Sequence, residues 1–587
     1  MSEFRSPLHS GPLPHIPDDL TVPQFILDFK FPQRPYRPQH VPWLIEDHSG
    51  RKIHFQELRR RTRGLANAFK LRWNIKEDDV VCIFSPNDVE YPVTIWATHT
   101  LGAIVTLANP AYTAEELEYQ LITTKAKLLV VHSAFLQTAA SAAKRAGLSD
   151  DRIIVIPGSG TGIDNTTTDQ LAAFGASQPE VFRERKLHPG EAKTKRAFLS
   201  FSSGTTGKPK AVEISHYSVI ANVIQMAVHS KILTQGNESF LPGGVVGAIL
   251  PFFHIYGLVV QVHFSLFCGL TLAVMPKFSF SEYLRSVDRY KISHLFVVPP
   301  QVVLMCKQQA IVRQFDFSHV KYVMCGAAPL SADLVQQLAE LFPNACIGQG
   351  YGLTETCTTV AMPPPNQKVA TSGSAGMLLA GIRGRVVKAD GTLAREGEQG
   401  ELVVTGPSMA LGYLNNPEAT KETFVDGWVH TGDEVIIKKG EVFVVDRLKE
   451  IIKVKGFQVA PAELEGHLLT HSAVSDACVV GIPHEYKGEV PLAYVVVNEK
   501  LASNVKSSFE ETKKLKTEIM KAKHYRVVLN ILPLFQHVSD HKTDYKWLAD
   551  VQFIDAIPKN PSGKILRRVL RDAARKERAP GPVQAKL

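Results

Sequence analysis

Short apolar runs and longer amphipathic runs alternate along the first part of the chain. VVCIF (80–84), IVTLA (104–108), LLVVHS (128–133) and IIVIP (153–157) are aliphatic or β-branched, which suits buried strands. Between them lie DVEYPVTIWATHTLGA (88–103), TAEELEYQLITTKAK (113–127) and FLQTAASAAKRAGL (135–148), each of helical length. The second of these opens with Thr113 and Glu116 at capping-box spacing. Strands separated by helices of this length pair in parallel through crossover connections, so an α/β sheet is expected, with ligands bound beyond the carboxyl ends of its strands. The polar run GSGTGIDNTTTD (158–169) reads as a loop, and no internal repeat is present. The most apolar stretch, 245–276, is interrupted by Pro251, His254, Gln261 and His263 and reads as core, not as a membrane span.

After Gln367 the texture changes. Short strands with Gly and charged turns, as in GIRGRVVKADGTLAREGEQGELVVTG (381–406), predict a small β-rich subdomain. From Arg447 onward helices and strands alternate in a lysine-rich segment, so a second, smaller domain is expected with its boundary near Asp446. Composition adds little: 44% hydrophobic and 21% charged residues in 587 exclude collagenous, disordered and disulfide-scaffold classes. A net charge of +9 suits nucleotides and nucleic acid alike. The seven cysteines are scattered, without CxxC or zinc spacing, which points to reduced and mostly buried thiols. The N-terminus is polar and Pro-rich where a secretory signal needs an apolar segment.

Two glycine-rich loops carry the chemistry. Ser202-Ser203-Gly204-Thr205-Thr206-Gly207-Lys208-Pro209-Lys210 lies between the apolar runs AFLSF and AVEI. Its small residues admit phosphate oxygens close to the backbone, and its hydroxyls and lysines supply donors. It is not a Walker A loop, because Ser202 takes the first Gly position and Pro209 follows Lys208. The second loop is Gly348-Gln349-Gly350-Tyr351-Gly352-Leu353-Thr354-Glu355-Thr356, where Leu353 replaces the third Gly of a dinucleotide fingerprint. Its single carboxylate, Glu355, suits an Mg²⁺ ion shared between protein and triphosphate, or a solvated Glu at a helix start.

These loops, followed in order by Thr431-Gly432-Asp433, by DRLKEIIKVKGFQVAPAELE (446–465) and by PKNPSGKILRR (558–568), resemble the adenylate-forming superfamily of acyl-CoA synthetases, luciferases and adenylation domains. PFFHIYGL (251–258), GAAPL (326–330) and FQVAPAELE resemble its coumarate:CoA ligase and aryl-CoA ligase branch. The resemblance implies an α/β fold with a large N-terminal domain (1–446) of two α/β sheet subdomains and a β-rich subdomain. A small mobile α+β C-terminal domain (447–587) follows. It also implies two reactions: a carboxylate attacks the ATP α-phosphate to give acyl-AMP and pyrophosphate, and the CoA thiol then displaces AMP.

Carried over residue by residue, the resemblance assigns Ser202, Ser203, Gly204, Thr205, Thr206 and Lys210 to the phosphates. Gln349, Gly350, Tyr351, Gly352 and Thr354 fall to the adenine and acyl-adenylate. Asp433 falls to the ribose, Arg447 to a further ribose or hinge-side contact, and Glu355 to Mg²⁺. Thr206, His254, Lys453 and Lys564 are the implied catalytic residues, Lys564 neutralising charge between acyl carboxylate and α-phosphate. His254, Tyr256, Met324, Ala327, Gly350, Thr358, Thr359, Met362 and Gln458 are implied to line an acyl pocket that suits an aryl or medium-length acid. Thr358 and Thr359 are more polar than the branch pattern there. Lys277, Lys455 and Gly456 are implied on the CoA side, and Lys449 at a hinge.

The expected partners are therefore a small carboxylic acid, ATP and CoA, without nucleic acid or a transmembrane segment. An adenylating module that passes its acyl group to a carrier protein or oxidises it, and a nucleotide-binding protein without catalysis, share the motifs; no carrier sequence is fused, and the lysines of catalysis are present. Residues 522–536, AKHYRVVLNILPLFQ, interrupt the family pattern and read either as translated intron sequence or as a surface insertion. The tail 579–587 ends in Ala585-Lys586-Leu587, a near match to the peroxisomal address read by an import receptor. A cytoplasmic location is expected if that match is accidental.

Overall fold

The alternating pattern folds as strand–helix units: Val80–Phe84, Glu90–Thr100, Ile104–Ala108, Ala114–Thr124, Ala126–His132, Leu136–Arg145 and Ile153–Ile156. The computed structural model describes the chain apart from residues 1–2, 10, 31–33, 159–164, 203–208, 234–238, 366, 455–456, 472, 485–486, 498–536, 539–541, 543–545, 561–562 and 578–587. The segment 522–536 and the tail 579–587 thus lie outside the described residues. Every residue of Val80–Phe84 and Ile104–Ala108 is buried, as strands covered by helices on both faces require. These strands run parallel with Ala126–His132, Ile153–Ile156 and Arg196–Ser202, and the antiparallel Lys210–Ser215 and Gly412–Tyr413 complete a seven-stranded sheet.

The capping box forms, with Glu116 N donating to Thr113 Oγ1 at 3.3 Å and Thr113 N to Glu116 Oε2 at 2.8 Å. One expectation fails at its end. Thr168 and Asp169, read as loop, open the helix Thr168–Ser177, because Thr167 and Gln170 form a second capping box hidden in the polar run.

A second seven-stranded sheet is ordered Cys346–Gln349, Tyr322–Cys325, Ile292–Val297, Val245–Ala248, Thr271–Val274, Leu44–Glu46 and Lys52–Ile53, parallel except for the last pair. The apolar stretch 245–276 supplies two of these strands and the wholly buried π-helical segment Tyr256–Phe264 between them. It is core, and no helix among the described residues is long and apolar enough to cross a membrane. Buried Asn87 ties the two sheets together: its Nδ2 donates to the carbonyls of Ala248 and Leu250 at 3.1 and 2.9 Å, and Phe252 N donates to its Oδ1 at 2.8 Å. That fixes the chain leading to His254.

The β-rich unit is larger than the sequence texture implies. Its nine-stranded sheet begins with Glu3–Arg5, paired antiparallel with Arg383–Val387, and includes Tyr351–Leu353 and Thr358–Met362 from before Gln367. Strands of three to five residues carry too short a period to read alone. The sheet ends at Glu441–Arg447, so Arg447, expected to open the second domain, closes a strand of this one. A five-stranded sheet follows, built from Ile452–Val454, Phe457–Val459, Val474–His484, Gly488–Val497 and Asp550–Phe553, with helices Pro461–Leu469 and Arg567–Glu577 packed on it. All seven cysteines are free thiols, six buried and Cys346 half-buried.

The hairpin between Tyr351–Leu353 and Thr358–Met362 closes so tightly that a Cβ at Gly352 would lie 1.4 Å from the Thr358 carbonyl oxygen. Gly352→Ala is therefore expected to cost more than about 3 kcal/mol, as a backbone overlap that cannot relax. Gly391→Ala, at φ +81° in open space, should cost only about 1 kcal/mol. Thermal unfolding of the two variants checks this, and equal melting temperatures would contradict the packing.

Candidate active site

The carboxyl ends of the two parallel sheets and one face of the β-rich sheet converge on a small set of charged side chains. Antiparallel pairing sets Asp433 opposite Arg447, and their side chains meet at 3.3 Å (Oδ1 to Nε). The Tyr351 hydroxyl donates to the other carboxylate oxygen at 2.7 Å. Asp433 N donates to Thr431 Oγ1, whose hydroxyl donates to Leu402 O at 2.7 Å, so the strand around Asp433 is pinned. Burial pushes the Asp433 carboxyl above the usual range, while Arg447 and then Tyr351 pull it back. Burial also opposes the charge on Arg447, but Asp433 and Glu450 outweigh it and raise its pKa. Such a carboxylate, facing the site with two oxygens held in position, can accept two hydroxyl groups.

Beside it stands Glu355, in the single turn Thr354–Thr356. Its Oε1 accepts from Ser202 Oγ at 3.1 Å and from the Tyr413 hydroxyl at 2.9 Å. Ser202 closes one strand and Lys210 opens the next, directly opposite it, so the phosphate-type loop joins two antiparallel strands as its sequence position implies. Lys210 Nζ lies 5.0 Å from the centre of the Tyr413 ring. Ser203, Gly204, Thr205 and Thr206 lie outside the described residues, as do Lys455 and Gly456. A lone half-buried carboxylate ringed by hydroxyls fits an Mg²⁺ ion that takes its remaining oxygens from phosphates. No cluster of three or more acidic, His or Cys side chains that could hold a metal unaided occurs among the described residues.

Lys564 reaches this group from the smaller unit. Its backbone N–H donates to Asn560 Oδ1 at 2.8 Å, and Asn560 N donates back to its carbonyl at 2.8 Å, closing a tight loop. The loop seats on the large unit: a Cβ at Gly563 would lie 3.1 Å from Val298 Cγ2. Three residues on, Arg567 bridges Glu450 and Glu465, with its Nε donating to Glu465 at 3.1 Å. Burial, then Arg447, pushes Lys564 down to about 8, against the pull of Glu450, Asp433 and Glu355. His254 is pushed down to about 4 by burial and by Lys564, so its imidazole is neutral near pH 7 and neighbours the lysine.

Several of the expected pocket residues pack against one another or against neighbouring core. The Tyr256 hydroxyl donates to Met324 O at 3.1 Å, and its ring lies 2.9 Å from where a Cβ at Gly326 would be. Met324 Sδ lies 3.1 Å from the corresponding position at Gly350, and Thr358 Oγ1 donates to Ile255 O at 3.0 Å. Ala327 follows Gly326 at φ +73°. Thr359 Oγ1 donates to Met226 Sδ at 3.3 Å and Met362 is fully buried in the same core. The extra hydroxyl groups of Thr358 and Thr359 therefore donate within the protein. The Gln349 amide holds the loop at Leu330, accepting from its N–H at 2.6 Å.

Four expected residues lie apart from this group. Gln458 is exposed, with its side-chain amide 2.9 Å from that of Gln399, and is not among the pocket side chains. Its place on the strand Phe457–Val459 of the small sheet turns it to the β-rich unit instead. Lys453 is exposed on the neighbouring strand, and Lys449 is exposed after Arg447, its carbonyl accepting from Arg571. Lys277 lines a cleft of about 230 Å³ with Pro251, Phe253 and Val298, the last shared with the seat of Gly563. Two residues of the site do not stand out in the sequence. Tyr413 sits in a two-residue strand without period, and Asn87 follows a strand end where its tie to the second sheet can be read only from the fold.

A family model for the AMP-binding enzyme matches residues 31–414, and one for the AMP-binding enzyme C-terminal domain matches 463–564. The chain is 35% identical to a 4-coumarate–CoA ligase of Pinus taeda, over 90% of this chain and 91% of that one. It is 34% identical to peroxisomal OPC-8:0-CoA ligase 1 of Arabidopsis thaliana, over 90% and 89%. Its fold matches an anthranilate CoA ligase in complex with anthranoyl-AMP, with a TM-score of 0.78 at 21% identity, covering 96% of this chain and 99% of that one. With both family models matched in order, the first over more than half of the chain, the chain belongs to the AMP-binding enzyme family.

Proposed function

We propose that the chain is an AMP-forming carboxylic acid:CoA ligase that activates an aryl or medium-length acid. The observation that carries this reading is the loop of Lys564 seated on the large unit at Val298, with the lysine close enough to Asp433, Arg447, Glu355 and His254 for their electrostatic influence to reach it. In adenylation, Asp433 accepts the ribose hydroxyls and Arg447 keeps that carboxylate ionised. Lys564, with Lys210 and the hydroxyls of residues 202–206, draws the triphosphate in, and Lys564 balances the charge that builds as the acid oxygen attacks the α-phosphorus. Glu355 would hold an Mg²⁺ ion, which supplies further neutralisation of the phosphates when bound. Neutral His254 and Tyr256 close the acyl side, where apolar Met324 and Ala327 suit an aryl or alkyl chain.

For the second step we assign the chain through Arg447, one residue past the expected boundary at 446, to the adenylating domain, and the remainder to a mobile domain that turns about Lys449. That turn withdraws Lys564 and brings Lys453, Lys455, Gly456 and Gln458 to the site, with Lys277 offering a cation to a CoA phosphate. Relatives named for 4-coumarate and OPC-8:0 support an aryl or medium-length acid. Ala585-Lys586-Leu587 is assigned as a peroxisomal address, supported by the peroxisomal name of the Arabidopsis relative.

Lys564→Ala should lower acyl-AMP formation at least about a hundredfold. Thioester formation from supplied acyl-AMP should stay within a fewfold of wild type, and equal loss of both half-reactions, followed by pyrophosphate and acyl-CoA assays, would refute the assignment. The pH dependence follows from the same residue. Its pKa is lowered from the ordinary 10.5 to about 8, so the required cation is present below pH 8 and lost above it. Adenylation measured as kcat/KM for ATP should fall through that range, and Lys564→Arg should flatten the fall; a level wild-type profile to pH 9.5 would contradict the role. Deleting Leu587 should move a fluorescent fusion from peroxisomes to the cytosol, whereas unchanged peroxisomal import would show that the tripeptide is not the address.

A further inference from the structure

Among the described residues the small unit rests on the large one at several places. Two are close van der Waals contacts: Gly563 against Val298, and the helix Pro461–Leu469, where a Cβ at Gly466 would lie 3.4 Å from Ser331 Cβ and Leu469 packs on the core around Leu334. The same helix donates from Ala462 N to Asp446 Oδ2 at 3.1 Å. A further contact is polar. Glu434 follows Asp433 in the strand Trp428–Lys438, so their side chains leave on opposite faces. Glu434 is only 5% exposed. The Gln458 amide, oriented by hydrogen-bonding sense, donates to its two oxygens at 3.0 and 3.2 Å; the Gln399 amide from the adjacent strand Gln399–Thr405 lies 2.9 Å from the same nitrogen and accepts from it once its own amide is turned the same way.

We propose that Glu434 and Gln399 are positioning residues that grip Gln458 and so hold the small unit in the orientation that seats Lys564. The proposal rests on the two-step reading above. Gln458 pairs directly with Lys453 across the ribbon of strands Ile452–Val454 and Phe457–Val459. While the grip is closed, Lys453 is exposed and Lys564 is in the site. For Lys453 to reach the site the ribbon must travel with it, and Gln458 must leave Glu434. A buried carboxylate then loses its amide donor, a loss specific to the second orientation. A contact present in one orientation only shifts the balance of the two by its own free energy. Adenylation and thioester formation are thereby ordered: the grip favours the first pose until ligands reverse the balance.

The test reads the orientation itself. Spin labels on Leu393→Cys in the large unit and Trp547→Cys in the small one, both exposed positions, report the distance between units by pulsed electron resonance. Wild type should show one dominant distance; Glu434→Leu should raise the population of a second roughly tenfold, and the half-buried Gln399→Ala roughly threefold. Glu434→Gln, which keeps an amide-to-amide bond, should restore the first. Half-reactions with cinnamate and with supplied cinnamoyl-AMP should move in step, pyrophosphate release falling while thioester formation holds or rises. Unchanged distances in both Glu434→Leu and Gln399→Ala would overturn the proposal. So would a Glu434→Gln variant as altered as Glu434→Leu, which would mean that the charge acts through Asp433. Because the distances need no acid, a wild type that releases no pyrophosphate with any aryl or medium-length acid would count against the ligase reading alone.

Discussion

One half-buried cation at the seam between two units organises this protein. Lys564 is carried by a short loop of the small unit, yet the charges that surround it belong mostly to the large one: Asp433, Arg447 and Glu355. A lysine so placed is costly without anionic company. The surroundings hold carboxylates enough to keep it near the edge of ionisation, at about 8, and a bound triphosphate would complete the compensation. Much of the remaining architecture serves to bring these groups together and then to let them part.

The two parallel sheets deliver Ser202, Gln349 and Cys325 at the carboxyl ends of their strands, where side chains from different crossovers can meet. Asn87 and Gln349 are buried amides spent on backbone groups of neighbouring segments, one locking Ala248 to Phe252 and the other Leu330 beyond Cys325. The β-rich sheet adds Asp433 and Arg447 from paired strands, which makes the ribose-type carboxylate and its counter-charge a single rigid feature. Against this rigid side, the contacts that join the small unit among the described residues include the amide of Gln458 on Glu434 and Ala462 N on Asp446. Strong order on one side and a junction of such contacts on the other suit a site that must be assembled twice.

The parallel sheet is legible in the sequence because buried strands and amphipathic helices differ in period, and the runs from Val80 to Ile156 keep those periods cleanly. The family is legible through the resemblance of five motifs in order, from the loop at Ser202 to PKNPSGKILRR at 558–568, with the small residues and hydroxyls of the first loop suiting phosphates. What stays hidden depends on long-range pairing. The strand Glu3–Arg5 joins Arg383–Val387 across almost the whole chain, and the helix at Thr168 is masked by the same polar residues that cap it. Tyr413 becomes visible as a partner of Glu355 only once a two-residue strand has been set beside Lys210–Ser215. The motif around Gln458 places it with the acyl pocket, whereas the fold turns it to Gln399 and Glu434.

Together these groups form a site that activates a carboxylic acid with ATP and hands it to CoA. The most direct measurement of that activity is pyrophosphate release from ATP across a panel of aryl and medium-length carboxylic acids, with and without CoA, on proteins carrying and lacking residues 522–536. Release should be stimulated by one acid class in at least one of the two proteins, with acyl-CoA formed only when CoA is added. Release that never leads to a thioester, or no acid-dependent release from either protein, would contradict the two-step chemistry.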